Sequence, residues 1–420
     1  MFLKEIEIRN YRVHQDTKVS LLPLTVFVGP NGGGKSALFD GLLNFSILAR
    51  GNLKQAFGPF PFSFYAALYR GAASKVARIG YRVLLARSES DADYLDYEID
   101  YAQDQKRTAE DQPPSFTIFA ERLRRQPSGD LLFDRAQPDK YPLSRGLTLE
   151  HDRAVFSSLR QSYAAGTLSP DTDELALYCA QQVSRFNKFR LDANILSVPS
   201  RMPEIALDGP ASTVPRLGYR GEDLAATLYY MSETKSPVIE QVKEWIKTLD
   251  RRFQGFEFNH VGADRVSFSA VYSDARKVVP SVLLSSGMLS YLGLIVLVAS
   301  PERPPVLMIE EPENGLTPQA VKSFYRAVRG LAYNEDPKRR SQVLLSSHSP
   351  FVICEAWNGE DRDFIHQVKV VNGKAEVRKF SVVVQESEIQ LAKDNKGKRT
   401  HLSLQNAEEI MSGYLAGIDE

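Results

Sequence analysis

Cysteine, long apolar runs and an excess of either charge are what this sequence has little of, and each shortage excludes something. The longest predominantly apolar run, Leu289 to Ala299, is about half of the ~20 residues a membrane-spanning helix requires, so no membrane association is expected. The N-terminus carries alternating charge at Lys4, Glu5, Glu7 and Arg9, unlike the cationic and then apolar plan of a secretory signal. Only two cysteines occur, Cys179 and Cys354. Far apart and in apolar surroundings, they read as buried free thiols rather than a disulfide framework. These features together place the chain in the cytoplasm. Sustained heptads, internal repeats and low-complexity segments are also missing, which argues against a long coiled-coil arm.

Lysine plus arginine number 52, as do aspartate plus glutamate. A neutral chain can bind nucleic acid only by gathering its cations on one face. Three groups qualify by proximity: Arg122, Arg124 and Arg125; Lys338, Arg339 and Arg340; and Lys393, Lys396, Lys398 and Arg399. Each reads as a solvated loop, and DNA stays an open partner.

What is present is a globular composition of 420 residues, enough for two or three domains. The first 28 residues read as two strands, one marked by Leu3, Ile6 and Ile8 and one formed by Leu24 to Val28. Ala37 to Leu48 follows as a helix. Between residues 76 and 140, β-branched and aromatic segments predict an antiparallel β subdomain, with strands at Ile79–Leu85, Tyr94–Tyr101, Ser115–Phe119 and Leu131–Phe133. Residues 141–275 read as a helical and mixed insertion. It holds helical spacing over 149–189, a strand-like Phe189–Val198, an amphipathic helix from Ser236 to Leu249, and strands at Phe253–Phe258 and Arg265–Tyr272. Residues 276–360 return to alternating helix and strand, completing the α/β domain begun by residues 1–75. In residues 361–420, Asn372-Gly373 suits a type I′ hairpin turn.

Two motifs carry chemistry by themselves. Gly29-Pro30-Asn31-Gly32-Gly33-Gly34-Lys35-Ser36 matches G-x-x-x-x-G-K-S, after a buried strand and before a helix that Ala37 continues. Backbone N–H groups at a helix N-terminus are natural receptors for polyphosphate. Lys35 is expected on the β- and γ-phosphates and Ser36 on Mg²⁺, so ATP and Mg²⁺ are the expected cofactors. The second motif is Val306-Leu307-Met308-Ile309-Glu310-Glu311, an apolar strand ending in two carboxylates. By their order, Glu310 is assigned to the metal and Glu311 to the attacking water. Two weaker segments flank it: Leu284-Ser285-Ser286-Gly287-Met288 upstream and Ser346-Ser347-His348-Ser349-Pro350 downstream.

In this order the four pieces resemble an ATP-binding-cassette-type ATPase of the RecF/SMC/OLD group. The run Glu310-Glu311-Pro312-Glu313-Asn314-Gly315-Leu316-Thr317-Pro318 is similar to that group's E-E-P-E-N-G-L-H-P segment, with Thr317 in place of the histidine. Ile8-Arg9-Asn10-Tyr11-Arg12 resembles its first strand and turn. The resemblance implies an ABC-ATPase-like P-loop NTPase domain in the α/β class, carrying the antiparallel subdomain and helical insertion. It further implies a composite site in which Ser285, Ser286 and Gly287 act in trans on a second copy, Asn314 and Gly315 lie at the dimer seam, and His348 senses the γ-phosphate. A homodimer or higher oligomer follows. Gln55 is the candidate for the group's metal-side glutamine after the first helix.

A transporter subunit would hold the P-loop and signature closer together. An OLD-type nuclease would need a further metal-binding domain, for which Asp361-Arg362-Asp363 offers only local spacing, so no nuclease is expected in this chain. The favoured reading is the ATPase sensor of a bacterial anti-phage system, resembling the ATPase subunits of PARIS or Septu and working with a separate nuclease effector. The alternative is a RecF-like DNA-repair ATPase.

Overall fold

Leu24–Val28 is buried at every position, as a strand covered on both faces must be, and it feeds directly into the glycine-rich loop. The computed structural model describes residues 1–58, 62–69, 71, 78–103, 116–203, 215–274, 277–359, 362–387, 391–393 and 400–413. Lys396, Lys398, Arg399, Ser115 and Asp361, named above, lie outside these.

In chain order the first elements are β1 (Phe2–Tyr11), β2 (His14–Ser20), β3 (Leu24–Val28), α1 (Lys35–Arg50), α2 (Leu53–Phe57), α3 (Phe62–Ala67), β4 (Ile79–Ala86), β5 (Tyr94–Gln103), β6 (Phe116–Gln126) and β7 (Leu131–Asp134). Then come α4 (Val155–Ala164), α5 (Glu174–Val183), β8 (Asn187–Phe189), α6 (Ala193–Leu196), β9 (Ser200–Arg201), α7 (Leu224–Glu233), α8 (Pro237–Leu249), β10 (Phe253–Val261), β11 (Arg265–Tyr272) and β12 (Val278–Pro280). The remainder is α9 (Ser286–Ala299), β13 (Val306–Glu310), α10 (Pro318–Ala332), β14 (Gln342–Ser347), α11 (Pro350–Asn358), β15 (Ile365–Val371), β16 (Lys374–Lys379), α12 (Phe380–Glu386), β17 (Ala392–Lys393), β18 (Thr400–His401) and α13 (Leu404–Gly413).

The chain divides into two units, Met1–Asn187 with Asp363–Glu388, and Lys188–Arg362 with Ile389–Glu420. In the first, an antiparallel sheet runs β2-β1-β4-β5-β6-β7. It recruits the N-terminal strand and a strand the sequence reading missed, His14–Ser20, whose inward residues include the polar His14 and Thr17. A strand that buries polar groups lacks the apolar alternation by which strands are recognised. Phe45 of α1 packs on Tyr81 and Tyr97 of this sheet, with centroids at 5.9 and 5.7 Å. In the same unit β15 lies parallel to β3 and antiparallel to β16. Asn372 and Gly373, at φ 51° and 77°, form the expected I′-type turn.

The second unit holds the parallel pair β13–β14, both buried throughout, and the antiparallel strands β10-β11-β12. Ser236 caps α8, and Thr317 caps α10 through its side chain. Helix α10 turns Val321, Phe324, Tyr325, Val328 and Leu331 inward, as their spacing predicts.

Three expectations need correction. Phe189–Val198 is not a strand. Pairing stops at Phe189, and the Asp192 side chain accepts from the Asn194 N–H to start the short α6, the local competition that makes aspartate an N-cap. Cys354 is only partly buried, whereas Cys179 is fully buried; burial pushes the Cys179 thiol up to about 12. Arg122, Arg124 and Arg125 lie on β6 rather than in a loop. There Arg122 pairs with Asp134, and Arg125 pairs with Asp93 and Asp173.

Candidate functional site

The phosphate-loop residues are shaped by a backbone running past them. A Cβ on Gly29 would lie 2.1 Å from the Val368 carbonyl oxygen of β15, and one on Gly33 would lie 2.7 Å from it. Only glycine lets the loop pass there. Gly34 caps α1 in the left-handed region at φ 103°, where its carbonyl oxygen lies 3.0 Å from His14 Nε2. Because that carbonyl can only accept, Nε2 carries the proton, and Nδ1 accepts from the Thr17 hydroxyl at 3.0 Å. Burial lowers the His14 pKa, which keeps the ring in this neutral tautomer. Lys35 is buried, and its Nζ donates to the carbonyl oxygens of Gly29 and Pro30 at 2.6 and 2.9 Å. The ammonium therefore lies against its own loop. Asn31, Gly32 and Ser36 are exposed, while Ala37 is buried at the start of the helix.

In the second unit, β13 delivers Glu310 at its end, cross-strand from Ser346. Glu310 is 3% exposed. Its Oε2 lies 3.4 Å from Lys188 Nζ and accepts from the Tyr219 hydroxyl at 3.4 Å. Glu311 turns the chain off the strand with φ at 47°, a region L-residues other than Asn and Asp seldom occupy. Its N–H still donates to the Ser346 carbonyl. Its Oε2 accepts from Arg190 Nη2 at 2.7 Å and from Asn314 Nδ2 at 3.0 Å. Strained backbone held by surrounding bonds is a recurrent mark of functional sites.

His348 is exposed just past β14. Its Nδ1 lies 3.6 Å from Glu313 Oε1 and 4.0 Å from Glu311 Oε1. Glu313 ties down that turn, since its Oε1 accepts from the Ser347 hydroxyl at 2.7 Å and from the His348 N–H at 3.1 Å. The turn at Ser285-Ser286-Gly287 and the loop at Asn314-Gly315 meet within this unit. A Cβ on Gly287 would lie 2.6 Å from the Gly315 carbonyl oxygen. Ser285 caps α9, accepting from the Met288 N–H at 3.3 Å. Ser285, Ser286, Asn314 and Gly315 are exposed, and Val282 and Leu283 beside them are 63% and 73% exposed.

Mg²⁺ takes hard oxygen ligands. Glu310 suits it, because its Oε1 is buried and has no hydrogen-bond partner among the described residues. The exposed Ser36 hydroxyl at the start of α1 is of the right chemical type. Gln55 is otherwise engaged: its side-chain oxygen accepts from the Asn52 N–H and closes a capping box on α2.

The sequence reading did not single out Lys188, Arg190, Tyr219 or His14, and it placed Glu313 in a motif without giving it a role. Lys188 and Arg190 sit two apart in Asn187-Lys188-Phe189-Arg190, a spacing that aims both at one side of an extended segment. That spacing is the only local signal of their function, and many surface strands share it.

Residues 24–354 match the protein family described as "AAA domain, putative AbiEii toxin, Type IV TA system". The chain is 23% identical over 359 residues to a protein of Thermus scotoductus named OLD nuclease. That match covers 83% of this chain and 59% of the relative, so the chain spans about three fifths of the relative's length. Among solved structures, an Smc head bound to the C-winged helix domain of ScpA aligns over 90% of this chain and 97% of its own, at TM-score 0.50 and 12% identity. The SMC head domain from Thermotoga maritima aligns over 90% and 99%, at TM-score 0.44 and 16% identity. The fold is that of an ABC-ATPase-like P-loop domain.

Proposed function

The chain belongs to this AAA-domain family, and on that premise we propose that it is an ATP-hydrolysing, dimerising ATPase that acts as the sensor subunit of a bacterial defence system. The observation that carries the ATPase reading is the paired carboxylates. Glu310 is buried with one oxygen that has no hydrogen-bond partner among the described residues, and Glu311 is held in a strained turn by Arg190 and Asn314. In this reading the N–H groups of Gly32 to Ser36 bind the phosphates, and Lys35 exchanges its two loop carbonyls for phosphate oxygens. Ser36 and Glu310 would each offer an oxygen ligand to Mg²⁺, and the bound ion would neutralise charge on the phosphates. Glu311 orients water and accepts its proton. His348, steadied by Glu313, is the group that reports on the γ-phosphate. Gln55 can join the metal side only by leaving its capping box.

Exposure of Ser285, Ser286, Asn314 and Gly315 beside Val282 and Leu283 supports a surface that meets a second copy. The defence reading draws on the family description, which names a toxin–antitoxin system. A separate nuclease effector is the partner we propose, and the cytoplasm the compartment.

Nucleotide binding and turnover by purified protein test the ATPase reading. Lys35→Ala is expected to lose ATP binding. Glu311→Gln is expected to retain ATP, to lose turnover by roughly 100-fold or more, and to accumulate as an ATP-bound dimer in light scattering. Normal ATP binding by the first variant, or normal turnover by the second, would refute it.

A further inference from the structure

Both motif carboxylates already carry a cation from one short segment. Lys188 faces Glu310 with Nζ at 3.4 Å from Oε2, and Arg190 faces Glu311 at 2.7 Å. The two pairs differ in setting. Lys188 and Glu310 are 7% and 3% exposed, whereas the Arg190 side chain is 52% exposed. An exposed pair is easily exchanged with water. An ionised carboxylate buried without a counter-charge is costly, so a cation beside Glu310 lowers that cost when no metal is present.

Lys188 is built into that position. Its ammonium stands 5.1 Å from the centroid of the Tyr219 ring, and the Tyr219 hydroxyl donates to the same Glu310 oxygen. Backbone bonds from Arg190 N to Tyr219 O at 2.9 Å and from Asp192 N to Arg220 O at 3.0 Å fix the two segments side by side. The other oxygen of Glu310, Oε1, is buried and has no hydrogen-bond partner among the described residues. The carboxylate thus meets a cation on one oxygen and, among the described residues, no hydrogen-bond donor on the other.

We propose that Lys188 is a resident counter-ion for Glu310, holding the metal carboxylate in the nucleotide-free chain and opposing a divalent cation that arrives without nucleotide. The inference rests on the ATPase reading above and adds a regulation to it. An ammonium 3.4 Å from the carboxylate repels a second cation at the same group. Metal alone then binds weakly, and the phosphates must supply the additional attraction that brings it in. Metal loading is thereby tied to nucleotide loading, which spares the site from free Mg²⁺.

The test is a Mn²⁺ titration of the full chain followed by electron paramagnetic resonance, with and without the non-hydrolysable analogue AMP-PNP. Wild type is expected to bind Mn²⁺ with the analogue and far more weakly without it. Lys188→Met is expected to tighten the nucleotide-free Mn²⁺ affinity roughly tenfold or more, as removal of an adjacent like charge should. Lys188→Gln keeps a donor without the charge and is expected to do the same, so it carries the test if the methionine variant does not fold. Lys188→Arg should stay near wild type. Arg190→Ala removes an equal charge from the neighbouring carboxylate and is expected to change Mn²⁺ affinity much less. Unchanged or weaker affinity in both neutral Lys188 variants would overturn the proposal, and so would an equal gain in Arg190→Ala, which would indicate only long-range electrostatics. If wild type binds neither AMP-PNP nor Mn²⁺ with it, the ATPase reading falls as well. Wild-type binding that Lys35→Ala abolishes, with no Lys188 effect, overturns this inference alone.

Discussion

His366 shows how a single residue can couple the phosphate-loop region to pH. It stands on β15 two residues before Val368, whose carbonyl requires glycine at positions 29 and 33. Its ring stacks on Phe27 of β3 at 5.7 Å. Burial, and secondarily the charge of Lys379, lowers its pKa to about 4, against about 6.5 for an unfolded histidine. As pH falls the unfolded chain takes up this proton first. The stability contributed by the neutral ring is therefore complete above about pH 6.5 and is lost as pH drops towards 4, by up to about 3 kcal/mol. Urea unfolding of wild type and His366→Phe across that window should show a shallower pH slope in the variant. An identical slope would refute the assignment. At this scale the legible residues were those whose chemistry depends on local order, Gly29 to Ser36 and Glu310-Glu311. His14, Lys188 and Arg190 act on groups 20, 122 and 121 positions away, and no local pattern encodes such a pairing.

Among the elements, α9 and α10 make opposite demands on glycine. Gly287 opens α9 where a Cβ would press on the Gly315 carbonyl at 2.6 Å, a rigid backbone atom. Gly330 lies on the exposed side of α10, where a Cβ meets nothing within 4 Å. Gly287→Ala should destabilise by about 1–3 kcal/mol through overpacking, and Gly330→Ala should stabilise by about 0.5–1 kcal/mol through helix propensity. Denaturant midpoints of the two variants check the sign in each case. Helices with a clear apolar face were legible in the sequence, α8 and α10 above all. Strand β2 was not, because it buries His14 and Thr17. The segment after Phe189 was misread because apolar Leu191, Ile195, Leu196 and Val198 outweighed the capping signal of Asp192.

At the scale of the whole molecule the proposal is that a chain with one P-loop and one signature completes its site with a second copy. Mixing separates this from a site complete within one chain. Lys35→Ala keeps its signature and Ser286→Arg keeps its P-loop, so their heterodimer would contain one intact composite site. Each variant alone should be inactive. An equimolar mixture should recover about a quarter of wild-type ATPase activity by random pairing in a two-fold dimer, if each site turns over by itself. A mixture as inactive as its components would count against the shared site. Ser286→Arg should also bind ATP as wild type does, since the signature is assigned to the other chain's nucleotide.

By itself the sequence determined the glycine-rich loop before α1, the pair of carboxylates at the end of β13, the capped start of α9, the fold class and the amphipathic helices. Each is written in neighbouring residues, through glycine conformation, helix period or the end of an apolar strand. The tertiary structure alone decided which groups hold those residues at rest: Val368 forbidding a side chain at Gly29 and Gly33, Lys188 and Arg190 meeting the two carboxylates, and Glu313 fixing the turn at His348. Those contacts depend on where distant segments come to lie, and burial then makes each of them energetically significant.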